Sequence, residues 1–285
     1  MASLIRKASD FIELVKLQHT LFALPFAMVS LVLAAPHGPS FRQLLWILGA
    51  MVGARSSAMA MNRIADRHID AQNPRTRGRA LPAGILGLGE VWVFTLASTA
   101  LFLWSAWQLS ALALALSPVA LSVLWGYSFT KRFTALSHLV LGLALGIAPS
   151  AVWIALLGRL DWTPVLLTLA VTLWTAGFDI LYACQDVEFD RQVGLHSIPT
   201  KLGIAQALLI ARLLHVGMAL LLAGVGFTAS LGPIYWIGLL PICGLLFLQH
   251  RLVSPQDLSR LNAAFFTTNG FLSVGLLVVV LLDRT

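Results

Sequence analysis

The sequence predicts an all-α, polytopic membrane protein: nine transmembrane helices around a central cavity that opens to the cytoplasmic side. Three observations carry this. First, mean hydropathy is +0.85, 58% of residues are hydrophobic and only 11% are charged, where a soluble domain carries about a quarter charged residues. Second, apolar runs recur at the length of roughly 20 residues that a spanning helix needs. Third, the basic residues lie in short loops, most of them on one side. That distribution excludes a nucleic-acid partner despite a net charge of +7. The chain 1–285 reads as one transmembrane domain.

The nine runs lie near 18–35, 43–62, 88–108, 111–128, 136–157, 163–184, 205–228, 231–250 and 262–282. The first comes after a charged amphipathic stretch (Arg6, Lys7, Asp10, Glu13, Lys16) and reads as a span, not a cleaved leader. Pro36-His37-Gly38-Pro39 and Ser230-Leu231-Gly232-Pro233 are tight turns, and Asn73–Arg79 opens a longer polar loop. Gly84, Gly87 and Gly89 have no strand before them, so they lead into the third span and do not form a dinucleotide loop. Cys184 and Cys243 both fall within spans and read as inert core thiols.

Lys and Arg placement sets the orientation. Arg6, Lys7, Lys16, Arg63, Arg67, Arg75, Arg77, Arg79, Lys131, Arg132, Arg191, Lys201, Arg251 and Arg260 collect on one side, against Arg42, Arg159 and Arg284 on the other. The first side is therefore predicted to be cytoplasmic, with the N-terminus inside and the C-terminus outside.

Charge inside this framework is scarce, and two segments concentrate it. The second span ends in Asn62-Arg63-Ile64-Ala65-Asp66-Arg67-His68-Ile69-Asp70. Residues four apart share a helix face, so Asn62, Asp66 and Asp70 form a column of oxygen donors suited to a hard cation such as Mg²⁺. The sixth span ends in Asp179-Ile180-Leu181-Tyr182-Ala183-Cys184-Gln185-Asp186-Val187-Glu188-Phe189-Asp190. On a continuous helix Asp179, Tyr182, Asp186 and Asp190 share one face, and Glu188 lies off it. Six of the twelve acids fall in these two stretches. Like charges so placed repel unless a cation sits between them. Four spans separate the equivalent positions, which suggests an internal duplication with motifs at 62–70 and 179–190.

On these residues the chain resembles the UbiA-type membrane aromatic prenyltransferases. Their two Asp-rich motifs match Asn62-x-x-x-Asp66-x-x-x-Asp70 and Asp186-x-x-x-Asp190, with Tyr182-Ala183 before the second and Gly194 and Ser197-Ile198-Pro199 after it. Arg63 stands where many members carry Asp. Within the family the chain is most similar to the bacterial quinone-pathway branch, the 4-hydroxybenzoate polyprenyltransferases and their menaquinone-pathway relatives that prenylate a dihydroxynaphthoate. The resemblance implies Mg²⁺-dependent transfer of a polyprenyl group from its diphosphate to the ring of a small aromatic acid, in the bacterial inner membrane. It implies metal binding by Asn62, Asp66, Asp70, Asp186 and Asp190. The family's Tyr-x-x-x-Lys pattern matches Tyr127 and Lys131 and implies diphosphate contact, where an interfacial anchoring pair is the plainer account.

Other residues remain open between two roles. Arg67 either reaches phosphate or pairs with an acid. Arg55 lies seven residues before Asn62, on the same face and about 10 Å deeper. A charge at that depth costs on the order of 3 kcal/mol. It fits the carboxylate of an aromatic acid, or a structural pairing with Asp179 or a backbone carbonyl. Asp179 in turn accepts a hydrogen bond from a substrate phenol or serves Arg55. Tyr182 faces substrate on the second motif. Lys16 and His19, at the start of the first span, are weaker substrate candidates. The loop 73–82 and the segment 191–201 are placed to act as lids. A transporter is disfavoured because the acids gather at one membrane face, and a phospholipid phosphotransferase because its Asp-Gly…Ala-Arg pattern is absent.

Overall fold

The structure, a computed structural model, describes all residues except 1–9, 12 and 16–19. Lys16 and His19, like Arg6 and Lys7, therefore lie outside the described residues. From residue 20 on, the chain forms eleven α-helices: α1 (Thr20–Ala34), α2 (Phe41–Gln72), α3 (Leu88–Leu109), α4 (Ala111–Thr130), α5 (Ser137–Leu157), α6 (Trp162–Ala183), α7 (Val187–Gln192), α8 (Ile198–Leu202), α9 (Ile204–Thr228), α10 (Pro233–Arg251) and α11 (Thr268–Arg284). A 3₁₀ turn, Cys184–Asp186, joins α6 to α7, and a π-helical turn, Ala263–Thr267, leads into α11. Among the described residues there is no β-strand.

Among the described residues, eight helices have the length and apolarity to cross a membrane. The remaining expected span, the first, near 18–35, corresponds to the shorter apolar helix Phe22–Ala34. The second span differs most from its expected bounds. Its helix runs on to Gln72 and carries the whole of Asn62–Asp70 inside it, because nothing in that polar stretch breaks a helix.

The chain forms two compact units, residues 1–20 with 41–129, and residues 21–40 with 130–285. In the first, α2 packs along α3 through small residues. A Cβ on Gly53 would come within 2.6 Å of the Phe102 backbone nitrogen and 2.8 Å of the Ser98 carbonyl oxygen. Only glycine lets the two backbones approach so closely. Polar links reinforce the contact: Ser57 and Thr99 share a hydrogen bond of 2.7 Å, and Trp125 of α4 donates to Ser57 Oγ at 2.9 Å.

The second unit is built around α6. Its Val171 and Trp174 are fully buried, and the core around them draws on Phe22 and Phe26 of α1, Met218 and Leu222 of α9, and Leu272 and Leu276 of α11. On the α5 side, a Cβ on Gly142 would collide with the Thr172 carbonyl. At the opposite end Asp283 accepts from the backbone N–H groups of Gly232 (2.7 Å) and Tyr235 (2.9 Å), satisfying donors at the start of α10. Cys184 is buried as expected, but Cys243 is exposed on the outward face of α10, a position that helical phase decides and composition does not.

Candidate functional site: two acidic segments

In the first unit, Asn62, Asp66 and Asp70 fall on the one continuous helix α2, in the expected register. Asn62 Nδ2 donates to Asp66 Oδ2 (3.2 Å) and to Ser128 Oγ (3.4 Å). Those bonds use the amide nitrogen and not the amide oxygen, the atom a cation would take. Asp66 is 3% exposed and Asp70 5%. Burial of two carboxylates requires nearby positive charge, and two arginines supply it. Arg79 Nη1 lies 2.8 Å from both carboxylate oxygens of Asp70, and Arg63 Nη1 lies 3.9 Å from Asp70 Oδ2. The segment is thus a mixed cluster of acids and arginines, built around the column of oxygen donors that the spacing predicts.

The loop beyond α2 is tied back to it. Thr76 Oγ1 donates to the Asp70 carbonyl (3.0 Å), and Asn73 Oδ1 accepts from the Arg75 N–H (2.9 Å). These bonds set the turn that carries Arg79. Arg67 Nε meets His68 Nε2 at 3.1 Å on the exposed side of the helix. Tyr127 interacts electrostatically with Arg63, Asp66 and Arg55 and shares a hydrogen bond with Ser128. Deeper along α2, the Nε of Arg55 is buried and has no hydrogen-bond partner among the described residues.

In the second unit a 3₁₀ turn interrupts the helix on which the single face is expected. The 3₁₀ turn at Cys184–Asp186 separates Asp179 and Tyr182 on α6 from Asp190 on α7. A 3₁₀ helix turns about 120° per residue against about 100° for an α-helix. Three such residues rotate the downstream helix by about 60° relative to an unbroken one. Asp186 and Asp190 are half-buried and Glu188 is exposed, as its off-face position predicts. Tyr182 packs its ring on Phe265 of the π-helical turn, with centroids 4.3 Å apart. Lys131 sits just past the end of α4, where its carbonyl accepts from the His196 N–H at 2.7 Å. That bond fixes the Lys131 backbone against the segment after the second motif.

Asp179 is paired with His138 of α5: Nδ1 and Oδ2 are 2.7 Å apart. Arg63, Arg79 and His138 thus join the acids, three residues to which the spacing assigns no role. Arg63 has a visible signal, since seven residues before Asp70 is the same face of α2. Arg79 and His138 have none, because a loop turn and a contact between separate helices set their places. Among the described residues no group of three His, Cys, Asp or Glu side chains converges as a metal cage.

These features define an integral membrane protein, helical throughout its described elements, with an acidic segment near a helix end in each unit. The UbiA prenyltransferase family profile matches residues 23–274, and the chain belongs to that family. It is 34% identical to the 4-hydroxybenzoate octaprenyltransferase of Sodalis glossinidius over 236 residues, covering 83% of this chain and 80% of that protein. Among solved structures, a UbiA homolog from Aeropyrum pernix K1 superposes with a TM-score of 0.84 at 32% identity, covering 94% of this chain and 98% of that one. A UbiA homolog from Archaeoglobus fulgidus, solved bound to DMAPP and Mg²⁺, shares the fold at a TM-score of 0.77 and 21% identity, covering 96% of this chain and 99% of that one.

Proposed function

We propose that this prenyltransferase moves a polyprenyl group from its diphosphate to the ring of a small aromatic acid of the 4-hydroxybenzoate type, at the cytoplasmic face of a bacterial inner membrane. The observation that carries the acceptor class is Arg55. A buried guanidinium nitrogen without a partner is costly, and a planar carboxylate satisfies a guanidinium with two parallel bonds. An aromatic acid supplies that group, and a neutral acceptor does not.

The remaining residues divide the work. The all-oxygen donor set fits Mg²⁺: Asn62 and Asp66 would hold it in the first unit, Asp186 and Asp190 in the second, with Asp70 contributing only what Arg79 leaves free. When bound, Mg²⁺ neutralises the diphosphate and makes it a better leaving group. Lys131, Arg67 and Tyr127 bind diphosphate oxygens. Asp179 accepts a hydrogen bond from the phenol, which raises the electron density of the ring that attacks the allylic carbon. Tyr182, stacked on Phe265, keeps water from that carbon. Residues 1–285 are read as one domain whose segments 62–70 and 179–190 descend from a duplication.

The test is an assay of the purified protein with Mg²⁺, one polyprenyl diphosphate and, separately, 4-hydroxybenzoate and a dihydroxynaphthoate. Product with 4-hydroxybenzoate is expected. Product with the naphthoate alone would move the protein to the menaquinone branch, and no product with either would overturn the proposal. Arg55→Ala should raise KM for the aromatic acid at least about tenfold, the equivalent of losing one charge-assisted bond, with KM for the diphosphate unchanged. Equal effects on both substrates would overturn the carboxylate role.

A further inference from the structure

The hydrogen bonds around His138 determine its tautomer. The ring is buried at 3% exposure in the first turn of α5. Its Nε2 lies 3.3 Å from the backbone nitrogen of Ile198, the first residue of α8. A backbone N–H only donates, so Nε2 must be the unprotonated nitrogen. The neutral ring then carries its hydrogen on Nδ1, and Nδ1 faces Asp179 Oδ2 at 2.7 Å. His138 therefore donates to the carboxylate from one side of the ring and accepts from the backbone at the other. Among the described residues, Asp179 meets the histidine through Oδ2 and not through Oδ1.

The backbone that fixes the ring is itself well held. Ser197 caps α8, its Oγ accepting from the Thr200 N–H (3.2 Å) while Thr200 Oγ1 accepts from the Ser197 N–H (2.8 Å). One residue earlier, the His196 N–H donates to the Lys131 carbonyl. The Ile198 N–H would be an unsatisfied donor at a helix start, and here the imidazole satisfies it. One histidine meets the needs of both the carboxylate and the helix start.

From this we infer that His138 is a positioning residue for Asp179. It occupies Oδ2 by donating to it, fixes the orientation of the carboxylate, and leaves Oδ1 as the acceptor for the phenol of the acceptor substrate. The inference rests on the proposed role of Asp179. A hydrogen-bonded outer partner of this kind is typically worth about 10- to 100-fold.

The experiment compares His138→Leu, His138→Gln, Asp179→Asn and the double variant His138→Leu/Asp179→Asn in detergent-solubilised protein. Glutamine reproduces both bonds, its amide nitrogen donating to Asp179 and its amide oxygen accepting from Ile198. Leucine reproduces neither. His138→Leu is expected to lower kcat by about 10- to 100-fold with KM for the prenyl diphosphate unchanged, and His138→Gln to restore most of the loss. The double variant is expected to be no slower than Asp179→Asn alone, because the histidine acts through that carboxylate. His138→Leu with unaltered kcat, beside an impaired Asp179→Asn, would overturn the positioning role and leave the role of Asp179 standing. An unimpaired Asp179→Asn would instead overturn the reading on which the inference rests. Loss of kcat in the leucine and glutamine variants alike, in step with their thermal midpoints, would reduce His138 to a folding residue. Nitrogen-15 histidine spectra of the unaltered protein give an independent check: protonated Nδ1 with bare Nε2 is expected, and the opposite tautomer would overturn the inference without any variant.

Discussion

The two acidic segments begin from the same spacing and reach opposite solutions. In the first, Asn62, Asp66 and Asp70 ride on one uninterrupted helix of 32 residues. Their positions come from helical register, and the cost of burying Asp66 and Asp70 is offset by arginines, with Arg79 holding both oxygens of Asp70. In the second, the chain is cut into α6, a 3₁₀ turn, α7 and α8 within residues 162–202. There each acid is aimed by a different piece of backbone, and Asp179 is held by a histidine in place of an arginine. A rod can keep like charges in line only if counter-charges come to it. A segmented chain can turn the charges apart.

Substitutions put that contrast to the test. The largest effect is expected at the positions proposed to bind the metal. Asp66→Asn and Asp186→Asn should each lower activity by more than about 100-fold, beyond the range typical of outer-shell partners, and raise the Mg²⁺ concentration needed for half-maximal rate. Asp70→Asn should cost clearly less activity, because Arg79 already occupies its oxygens. Equal losses at Asp66 and Asp70 in Mg²⁺ titrations would erase the distinction within the first segment.

Next in size is the clamp itself. Arg79→Met leaves the buried Asp70 carboxylate without its nearest counter-charge and should cost about 2–3 kcal/mol, read as a lowered thermal midpoint. In the second segment the Arg191 guanidinium is exposed and reaches the Thr200 carbonyl at 3.5 Å. Arg191→Met should therefore shift stability by less than about 0.5 kcal/mol. A shift as large as that of Arg79→Met would show that the second segment also depends on an arginine.

The two units also invite comparison through their helix contacts. Gly53→Ala in the first and Gly142→Ala in the second each place a methyl against partner backbone, and should cost about 1–3 kcal/mol by overpacking. Gly244→Ala, with open space around it, should be neutral or gain up to about 1 kcal/mol in helix propensity. Chemical denaturation of the three variants checks the order. The smallest effect belongs to the α8 cap. Ser197→Ala should cost about 1 kcal/mol, confined to the segment after the second motif, and appear as faster hydrogen exchange over residues 198–202 with residues 62–79 unaffected.

Much of this is legible in the residues. Apolar runs of membrane length locate the helices, because a backbone in lipid has to satisfy its own hydrogen bonds and helices are the local way to do so. The register of Asn62, Asp66 and Asp70 is legible because it depends on one helix alone. The second face is not, since the 3₁₀ turn at Cys184–Asp186 carries no glycine or proline to announce it.

Residue pattern alone is enough for the class of protein, its helices, its family and the register of Asn62, Asp66 and Asp70 on one helix. All of these rest on local periodicity or on spacing within one element. Packing in three dimensions settles who partners whom: Arg79 on Asp70, His138 between Asp179 and Ile198, and Arg55 with a buried nitrogen unspent. Hydrogen bonds and ion pairs act over a few ångströms in space, and residues 41 or 60 positions apart in the chain come within that range only when the helices pack.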